Sequence, residues 1–209
     1  IAYITLICLL IMPENLSTSV VLFLTCSILL FIGNARLRHL ALLGGIFSLV
    51  AFIGAGILLK APDSILPGRA ATWKARIENF RGSDSAESFQ TTQAKIAIVG
   101  GGLFGKGPGK GEQSAYLPHP YSDFIFAVII EEYGLLFGGI SVILLYLLIL
   151  YRSIRIVLKS PRAFGALLAV GLAFSMVLQA FIHMAVASSL FPVTGLTLPL
   201  ISMGGTSII

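Results

Sequence analysis

The chain has 209 residues, of which 56% are hydrophobic and only 11% are charged, and its mean hydropathy is +0.96. Soluble domains carry about 25% charged residues, so this composition excludes an ordinary soluble domain and indicates an integral membrane protein. The net charge of +5 is modest, and in a membrane protein it reports on topology rather than on nucleic-acid binding. Both ends of the chain lie inside apolar runs, so we expect it to be a fragment of a longer protein.

Six apolar segments approach or reach the length of about 20 residues that a bilayer-spanning helix needs. In chain order the predicted spans are 1–12 (partial), 16–33, 40–59, 123–150, 163–190 and 196–209 (partial). The predicted fold class is therefore all-α, a polytopic bundle of transmembrane helices. Cys8 and Cys26 lie inside apolar segments and are interpreted as small packing residues, not as a disulfide or a metal site.

Two short basic loops set the predicted orientation. Residues 34–39 carry Arg36 and Arg38, and residues 151–162 carry four basic residues and no acid. The positive-inside rule places both loops in the cytoplasm, and the two spans between them require them to share a side. The long polar segment 60–122 is therefore predicted to be one large extracytoplasmic loop. Within it, residues 72–80 have the pattern of a short amphipathic helix that could lie along the membrane surface.

The same outer loop contains a very glycine-rich stretch. Its sequence GGGLFGKG, residues 100–107, nearly matches a nucleotide-binding P-loop. However, Gly107 stands where the Mg²⁺-binding hydroxyl would be, and Pro108 would disturb the helix that should follow. We expect instead a tight loop whose backbone amides and Lys106 or Lys110 approach an anionic group. A flexible hairpin between two elements is the alternative.

Three carboxylates mark the start of the fourth predicted span, in LPHPYSDFIFAVIIEEYG (117–134). Ser122 or Asp123 could cap the helix, and the alternative is that Asp123 is a catalytic carboxylate at the outer membrane surface. Glu131 lies about 12 Å deeper along the helix, too far to act with Asp123 on one bond. Because carboxylates are costly in hydrocarbon, Glu131 and Glu132 are predicted to hold helices together through buried polar bonds.

Two further features lie near the end of the chain. His183, in the middle of 163–190, is interpreted as a packing and hydrogen-bonding residue, and no spacing indicates a zinc site. Residues 191–209, FPVTGLTLPLISMGGTSII, contain two prolines and several small residues. Small residues allow close helix approach in a membrane, so this stretch indicates a packed bundle or a re-entrant segment.

Taken together, three of these stretches resemble the SEDS family, the FtsW/RodA/SpoVE group. The glycine loop ending at Gln113, LPHPYSDFIFAVIIEEYG, and LFPVTGLTLPLISMGGTS follow one another in the order and spacing of that family, and look closer to the FtsW branch than to RodA. The resemblance covers essentially the whole chain. It implies a ten-span fold in the bacterial cytoplasmic (inner) membrane, of which this chain would be the C-terminal part.

The resemblance also implies an activity, a peptidoglycan glycosyltransferase that polymerises lipid II during cell division with a class B penicillin-binding protein and other divisome proteins. It places the catalytic aspartate of the D-F-I-F motif on Asp123 and two loop residues on Arg76 and Gln113. The pyrophosphate leaving group would need positive charge, from Arg76, Lys106, Lys110 or a divalent cation such as Mg²⁺ or Mn²⁺. No organic cofactor is expected. A lipid II flippase and a non-catalytic division scaffold are the alternatives.

Overall fold

The computed structural model describes residues 2–60, 74, 86–117 and 120–203. All regular structure in these ranges is helical, in agreement with the predicted fold class. In chain order the elements are α1 (Ala2–Ile11), α2 (Leu16–Ile32), α3 (Leu37–Lys60), α4 (Ala86–Gly101), a 3₁₀ turn (Gln113–Ala115), α5 (Ile125–Gly134), a π-helical segment (Leu135–Ile140), α6 (Ser141–Lys159) and α7 (Ala163–Ala187).

Three helical stretches are long and apolar enough to cross a membrane: Leu37–Gly54, Ile125–Lys159 and Ala163–Ala187. Helix α2 is mostly apolar but shorter, at 17 residues. These helices overlap apolar segments that were predicted as spans, and that each of them crosses a membrane stays a prediction. The agreement arises because an apolar run long enough to cross a bilayer is a local property of the sequence.

Helical structure extends further along the fourth span than the predicted range 123–150. It starts at Ile125 and continues, through the π-helical segment, to Lys159. Arg152, Arg155 and Lys159 therefore belong to the end of α6 and not to a loop, which corrects the prediction for 151–162. Apolar residues continue between these basic ones, and basic side chains are favourable near a helix C-terminus.

The predicted outer loop contains a helix that the sequence interpretation did not assign. Helix α4 covers the segment KIAIV, which in a P-loop would have to be a strand. Ala94 and Ala97 of α4 are buried against Phe124 and Ala127, at the start of the fourth span. Part of the segment 60–122 thus packs alongside a span. The predicted amphipathic helix 72–80 lies outside the described residues, apart from Lys74.

The last predicted span is not helical in its described part. Residues 192–203 form an irregular segment with turns, so the prediction of a helix beginning at residue 196 is wrong as far as residue 203. Pro192 and Pro199 lack the N–H that a helix interior needs. Gly195 and Leu200 have φ values of 66° and 67°, which a right-handed helix does not allow.

Two compact units make up the chain: Ile1–Glu78 with Ile156–Ser175, and Asn79–Arg155 with Met176–Ile209. The first has a core of Cys8, Phe23, Leu43 and Phe47, in which the two phenylalanine rings stack 4.1 Å apart. Cys8 and Cys26 are both free thiols. The main core of the second unit combines residues of α5, α6, α7 and the irregular segment: Phe126, Ile130, Val142, Tyr146, Val177, Ala180, Met184, Ala187 and Leu198.

Candidate active site

The long fourth span is interrupted at Gly134. This residue has φ 80° and ψ 172°, so α5 ends there and a π-helical segment of six residues leads into α6. An interruption of this kind frees backbone N–H and C=O groups, which must find partners at membrane depth. The break lies about 14 Å along the helix from Ile125.

The glycine-rich loop, residues 102–112, supplies those partners. Four backbone hydrogen bonds of 2.9–3.2 Å join it to the break: Lys106 N–H to Glu131 C=O, Gly107 N–H to Glu132 C=O, Leu135 N–H to Gly102 C=O, and Leu136 N–H to Leu103 C=O. Both sides of the break are thus bonded to one loop. The loop is a structural part of the span rather than a free extramembrane connection.

Contact this close between two backbones requires glycine. A Cβ atom on Gly105, where φ is +81°, would lie 2.3 Å from the carbonyl oxygen of Glu132. A Cβ atom on Gly134 would lie 2.4 Å from the carbonyl oxygen of Leu103. The glycine content of the loop therefore reflects backbone packing against the helix break, and the resemblance to a phosphate-binding loop is coincidental.

The loop does approach an anionic group, and that group is the carboxylate of Glu131. Glu131 is 0% exposed, and its Oε1 accepts hydrogen bonds from Lys106 Nζ and from the backbone N–H of Glu112, both at 3.0 Å. The N–H of Gln113 lies 3.3 Å from each carboxylate oxygen. Glu131 was predicted to join helices, but its partners belong to the loop and to Gln113, the residue that follows it. Glu132 is partly buried, and its backbone carbonyl is bonded to the loop.

Lys106 serves chiefly as the counter-ion of Glu131. The hydrogen bond to Glu131 is the main cause that raises the pKa of the Lys106 ammonium above 10.5, so this side chain is charged at neutral pH. Glu112 Oε2 lies 3.6 Å from the same Nζ. Contact of Lys106 with a substrate remains a prediction, as it does for Lys110, whose side chain is exposed.

The family resemblance assigns roles to two further loop residues, Gln113 and Arg76. Gln113 donates its backbone N–H to Glu131, while its side-chain Oε1 is buried without a hydrogen-bond partner among the described residues. Arg76 lies outside the described residues. A role for either in binding substrate remains a prediction.

Asp123 does not cap the helix that follows it. Helix α5 begins at Ile125, and its N-cap position is Phe124, where no side-chain capping bond forms within the described part of the chain. The carboxylate is partly buried, and its Oδ1 accepts a hydrogen bond of 2.9 Å from the Ser122 hydroxyl. The capping interpretation is therefore not supported for either Ser122 or Asp123. The carboxylate lies just before the helix, with its second oxygen outside this hydrogen bond.

The irregular segment near the end of the chain holds the backbone of the same turn. The Ser202 hydroxyl donates to the Ser122 carbonyl at 2.9 Å, and Met203 N–H donates to the Tyr121 carbonyl at 3.0 Å. Ser202 was not predicted as a site residue. Its only signal in the sequence is its place in the run SMGGTS, which indicates close packing but no partner.

His183, on α7, approaches the turn as well. Its ring is 1% exposed. It lies close to the backbone of Ser122 and Asp123 and to the Asp123 carboxylate. Neither ring nitrogen forms a hydrogen bond of ordinary geometry with any described residue. The packing role predicted for His183 fits this position, while the predicted hydrogen bonding is not seen in the described part of the chain.

Long apolar helices, an interrupted helix and an acidic residue just before its first turn define a membrane protein with a candidate acid–base site. The whole chain, residues 1–209, matches the family described as "Cell cycle protein", the FtsW/RodA/SpoVE group. The chain belongs to this family, as the motifs of the sequence predicted.

Its relatives agree with this assignment. The chain is 39% identical to "Stage V sporulation protein E" of Bacillus subtilis (strain 168), covering 93% of this chain and 50% of the relative. It is 41% identical to "Probable peptidoglycan glycosyltransferase FtsW" of Alkalilimnicola ehrlichii, covering 96% and 49%. The chain thus spans about half the length of the curated relatives it matches.

A solved structure shows the same fold. It is described as "Structural coordination of polymerization and crosslinking by a peptidoglycan synthase complex". The TM-score is 0.66 at 25% sequence identity, and the match covers 96% of this chain and 53% of that one. The fold of this chain therefore also occurs in a solved structure.

Proposed function

We propose that the full-length protein is a peptidoglycan glycosyltransferase that polymerises lipid II into glycan strands during cell division. The observation that carries the proposal is Asp123, a partly buried carboxylate at the end of a span that is not used as a helix cap. The name of the FtsW relatives supports the reaction class.

In the proposed reaction Asp123 is the general base. The 4-hydroxyl of the acceptor sugar gives its proton to the carboxylate as its oxygen bonds to the anomeric carbon of the donor. The bond from that carbon to undecaprenyl pyrophosphate breaks, and the pyrophosphate leaves with the electron pair. Because Ser122 donates to Oδ1, the other oxygen, Oδ2, is the one we assign as proton acceptor.

The leaving pyrophosphate needs positive charge nearby. Lys110 is exposed and available for this role, whereas the charge of Lys106 is already compensated by Glu131. No group of three metal-binding side chains occurs within the described ranges. A single carboxylate fits Mg²⁺ or Mn²⁺ only where phosphate oxygens and water supply the other ligands. A cation held chiefly by the substrate in this way would neutralise charge on the pyrophosphate.

We place the protein in the bacterial cytoplasmic membrane as a multi-pass protein, with 34–39 in the cytoplasm and the loop 60–122 outside. Lipid-linked sugars would then meet Asp123 at the outer membrane surface. The structural relative is named for a complex that both polymerises and crosslinks peptidoglycan. By analogy we propose that this protein works with a class B penicillin-binding protein and other divisome proteins.

The flippase alternative requires polar side chains that line a path through the bundle. Glu131 is a polar side chain inside the bundle, yet its carboxylate is 0% exposed and bonded to Lys106 and two backbone amides. A side chain held in this way does not present its charge to a passing headgroup. The geometry around Glu131 therefore favours the glycosyltransferase over the flippase.

Asp123→Asn tests the proposal in the full-length protein with its transpeptidase partner. Asn keeps the size of the side chain but cannot accept a proton as a base. Polymerisation of purified lipid II should fall by about a hundredfold or more, while lipid II binding and thermal stability remain close to wild type. Glu112→Gln, the same acid-to-amide change on a side chain that is 77% exposed, is the matched control and should keep its rate.

Two outcomes would reject the proposal. One is a near wild-type rate of glycan synthesis by Asp123→Asn. The other is a wild-type protein that makes no glycan with its partner but moves lipid II across the bilayer of a vesicle, which would identify a flippase.

A further inference from the structure

We infer that Ser202 is a positioning residue for Asp123, acting through Ser122. This inference rests on the proposed role of Asp123 as the base. Ser202 lies 80 residues after Ser122 in the sequence, and its hydroxyl donates to the Ser122 carbonyl at 2.9 Å. Ser122 in turn donates its own hydroxyl to Asp123 Oδ1 at 2.9 Å.

The hydroxyl of Ser202 has a defined orientation. Ser202 is 1% exposed, and its Oγ accepts the backbone N–H of Leu198 at 2.7 Å. A serine hydroxyl carries one hydrogen, and here that hydrogen points to Ser122. The bond from Leu198 is buried and the bond to Ser122 is partly buried, so loss of the hydroxyl would remove a partner from two backbone groups at once.

The segment that carries Ser202 is itself fixed within the same compact unit. Gln179 Nε2 donates to the Thr197 carbonyl at 2.9 Å, and the Tyr146 hydroxyl donates to the Pro199 carbonyl. Met203 N–H adds a second bond to the turn, at the Tyr121 carbonyl. Side chains of α6 and α7 therefore fix the irregular segment. That segment in turn fixes the turn before Asp123.

Positioning matters because a general base must lie within hydrogen-bond distance of the proton it takes. Displacement of a catalytic group by about 1 Å can cost around a hundredfold in rate. The bond from Ser122 leaves Oδ2 as the proton-accepting oxygen, and Ser202 fixes the peptide from which Ser122 and Asp123 extend. A group with this role affects kcat more than the binding of lipid II.

The test measures lipid II polymerisation by the full-length protein with its transpeptidase partner, per folded molecule. Ser202→Ala should lower kcat about 10- to 100-fold and change the KM for lipid II less than about twofold. Ser202→Thr keeps the hydroxyl and should restore most of the rate. Ser19→Ala is the matched control, since Ser19 is also buried and donates to a backbone carbonyl, that of Cys8, at 2.7 Å. It should leave kcat unchanged.

A second variant keeps the test decisive if Ser202→Ala does not fold. Ser122→Ala removes only the bond to Asp123 and should also lower kcat. Where both variants fold, the double mutant should be no slower than the slower single mutant, because both act through one carboxylate. Independent, multiplying losses would contradict the inference, as would a wild-type kcat for either single variant.

Asp123→Asn separates this inference from the proposed function. If that variant is inactive while Ser202→Ala and Ser122→Ala keep the wild-type kcat, the base is correct and the positioning role is wrong. If Asp123→Asn is active, the proposed function fails first. A loss in Ser202→Ala that Ser19→Ala matches would show a purely structural effect and overturn the positioning role.

Discussion

Nζ of Lys106 lies 3.0 Å from Oε1 of Glu131, which follows 25 residues later in the chain. This ion pair closes the glycine loop over the break in the fourth span. It explains how a carboxylate can lie well inside an apolar helix, because a cation and two backbone amides offset the cost of its desolvation. Loop and break thus stabilise each other.

Glu131→Gln should therefore destabilise the protein. The change removes the charge that Lys106 neutralises and weakens the acceptor for the amides of Glu112 and Gln113. We expect the free energy of unfolding to fall by about 2 to 3 kcal/mol. The loss is smaller than for a fully buried ion pair, because the Lys106 side chain is 31% exposed. Thermal unfolding of the detergent-solubilised protein measures it.

Glu132→Gln is the control for this prediction. Glu132 is only partly buried, so its substitution should lower the unfolding temperature less than Glu131→Gln does. In both variants the main effect should be a lower unfolding temperature. The rate of glycan synthesis per folded molecule should stay close to the wild-type rate. If the Glu131→Gln variant is as stable as wild type, the ion pair does not hold the loop.

Gly105→Ala should release the loop from the break. Its φ of +81° strains any other residue, and the added Cβ would lie 2.3 Å from the Glu132 carbonyl oxygen. Gly102→Ala is a matched control, since Gly102 also has a positive φ, +55°, but open space around the new methyl group. We expect the free energy of unfolding to fall by about 1 kcal/mol in the control and by clearly more in Gly105→Ala.

Limited proteolysis of the folded protein measures this difference. Cleavage within residues 102–112 should become faster in Gly105→Ala and stay close to the wild-type rate in Gly102→Ala. Equal protection of the two variants would mean that the close backbone contact at Gly105 is not needed to hold the loop.

The predicted orientation can be tested with single cysteines. Ala115 and Arg162 are both exposed, and we expect them on opposite sides of the membrane. An impermeant thiol reagent added to intact cells should label Ala115→Cys, and Arg162→Cys only after permeabilisation. Wild type is the blank, because Cys8 and Cys26 lie within apolar helices. The reverse labelling pattern would invert the topology.

Some features of this protein follow from local sequence alone. Spans such as Ala163–Ala187 are recognised because about 20 apolar residues in a row have few other stable environments. Asp123 could be singled out because a carboxylate beside an apolar run is rare. The family motifs added the proposed reaction, and the match along residues 1–209 confirms the family.

Boundaries and breaks were predicted less well. The run Ile125–Lys159 contains 35 residues, more than one straight span needs, and Gly134, Gly138 and Gly139 lie within it. That excess length was a signal of an interruption, but hydropathy cannot say where a helix breaks. The segment 196–203 looked like a helix by its apolar content, and positive φ values and prolines prevent one.

What the sequence determined by itself is the membrane class, the places of the apolar helices and the carboxylate at the edge of one of them, because each depends on neighbouring residues. Only the tertiary structure decided that Glu131 is the anion inside the glycine loop and that Ser202 holds the turn before Asp123. Those contacts join residues 18 to 80 positions apart. Hydrogen bonds of this range depend on how the elements pack, and no local pattern of residue types specifies the partner.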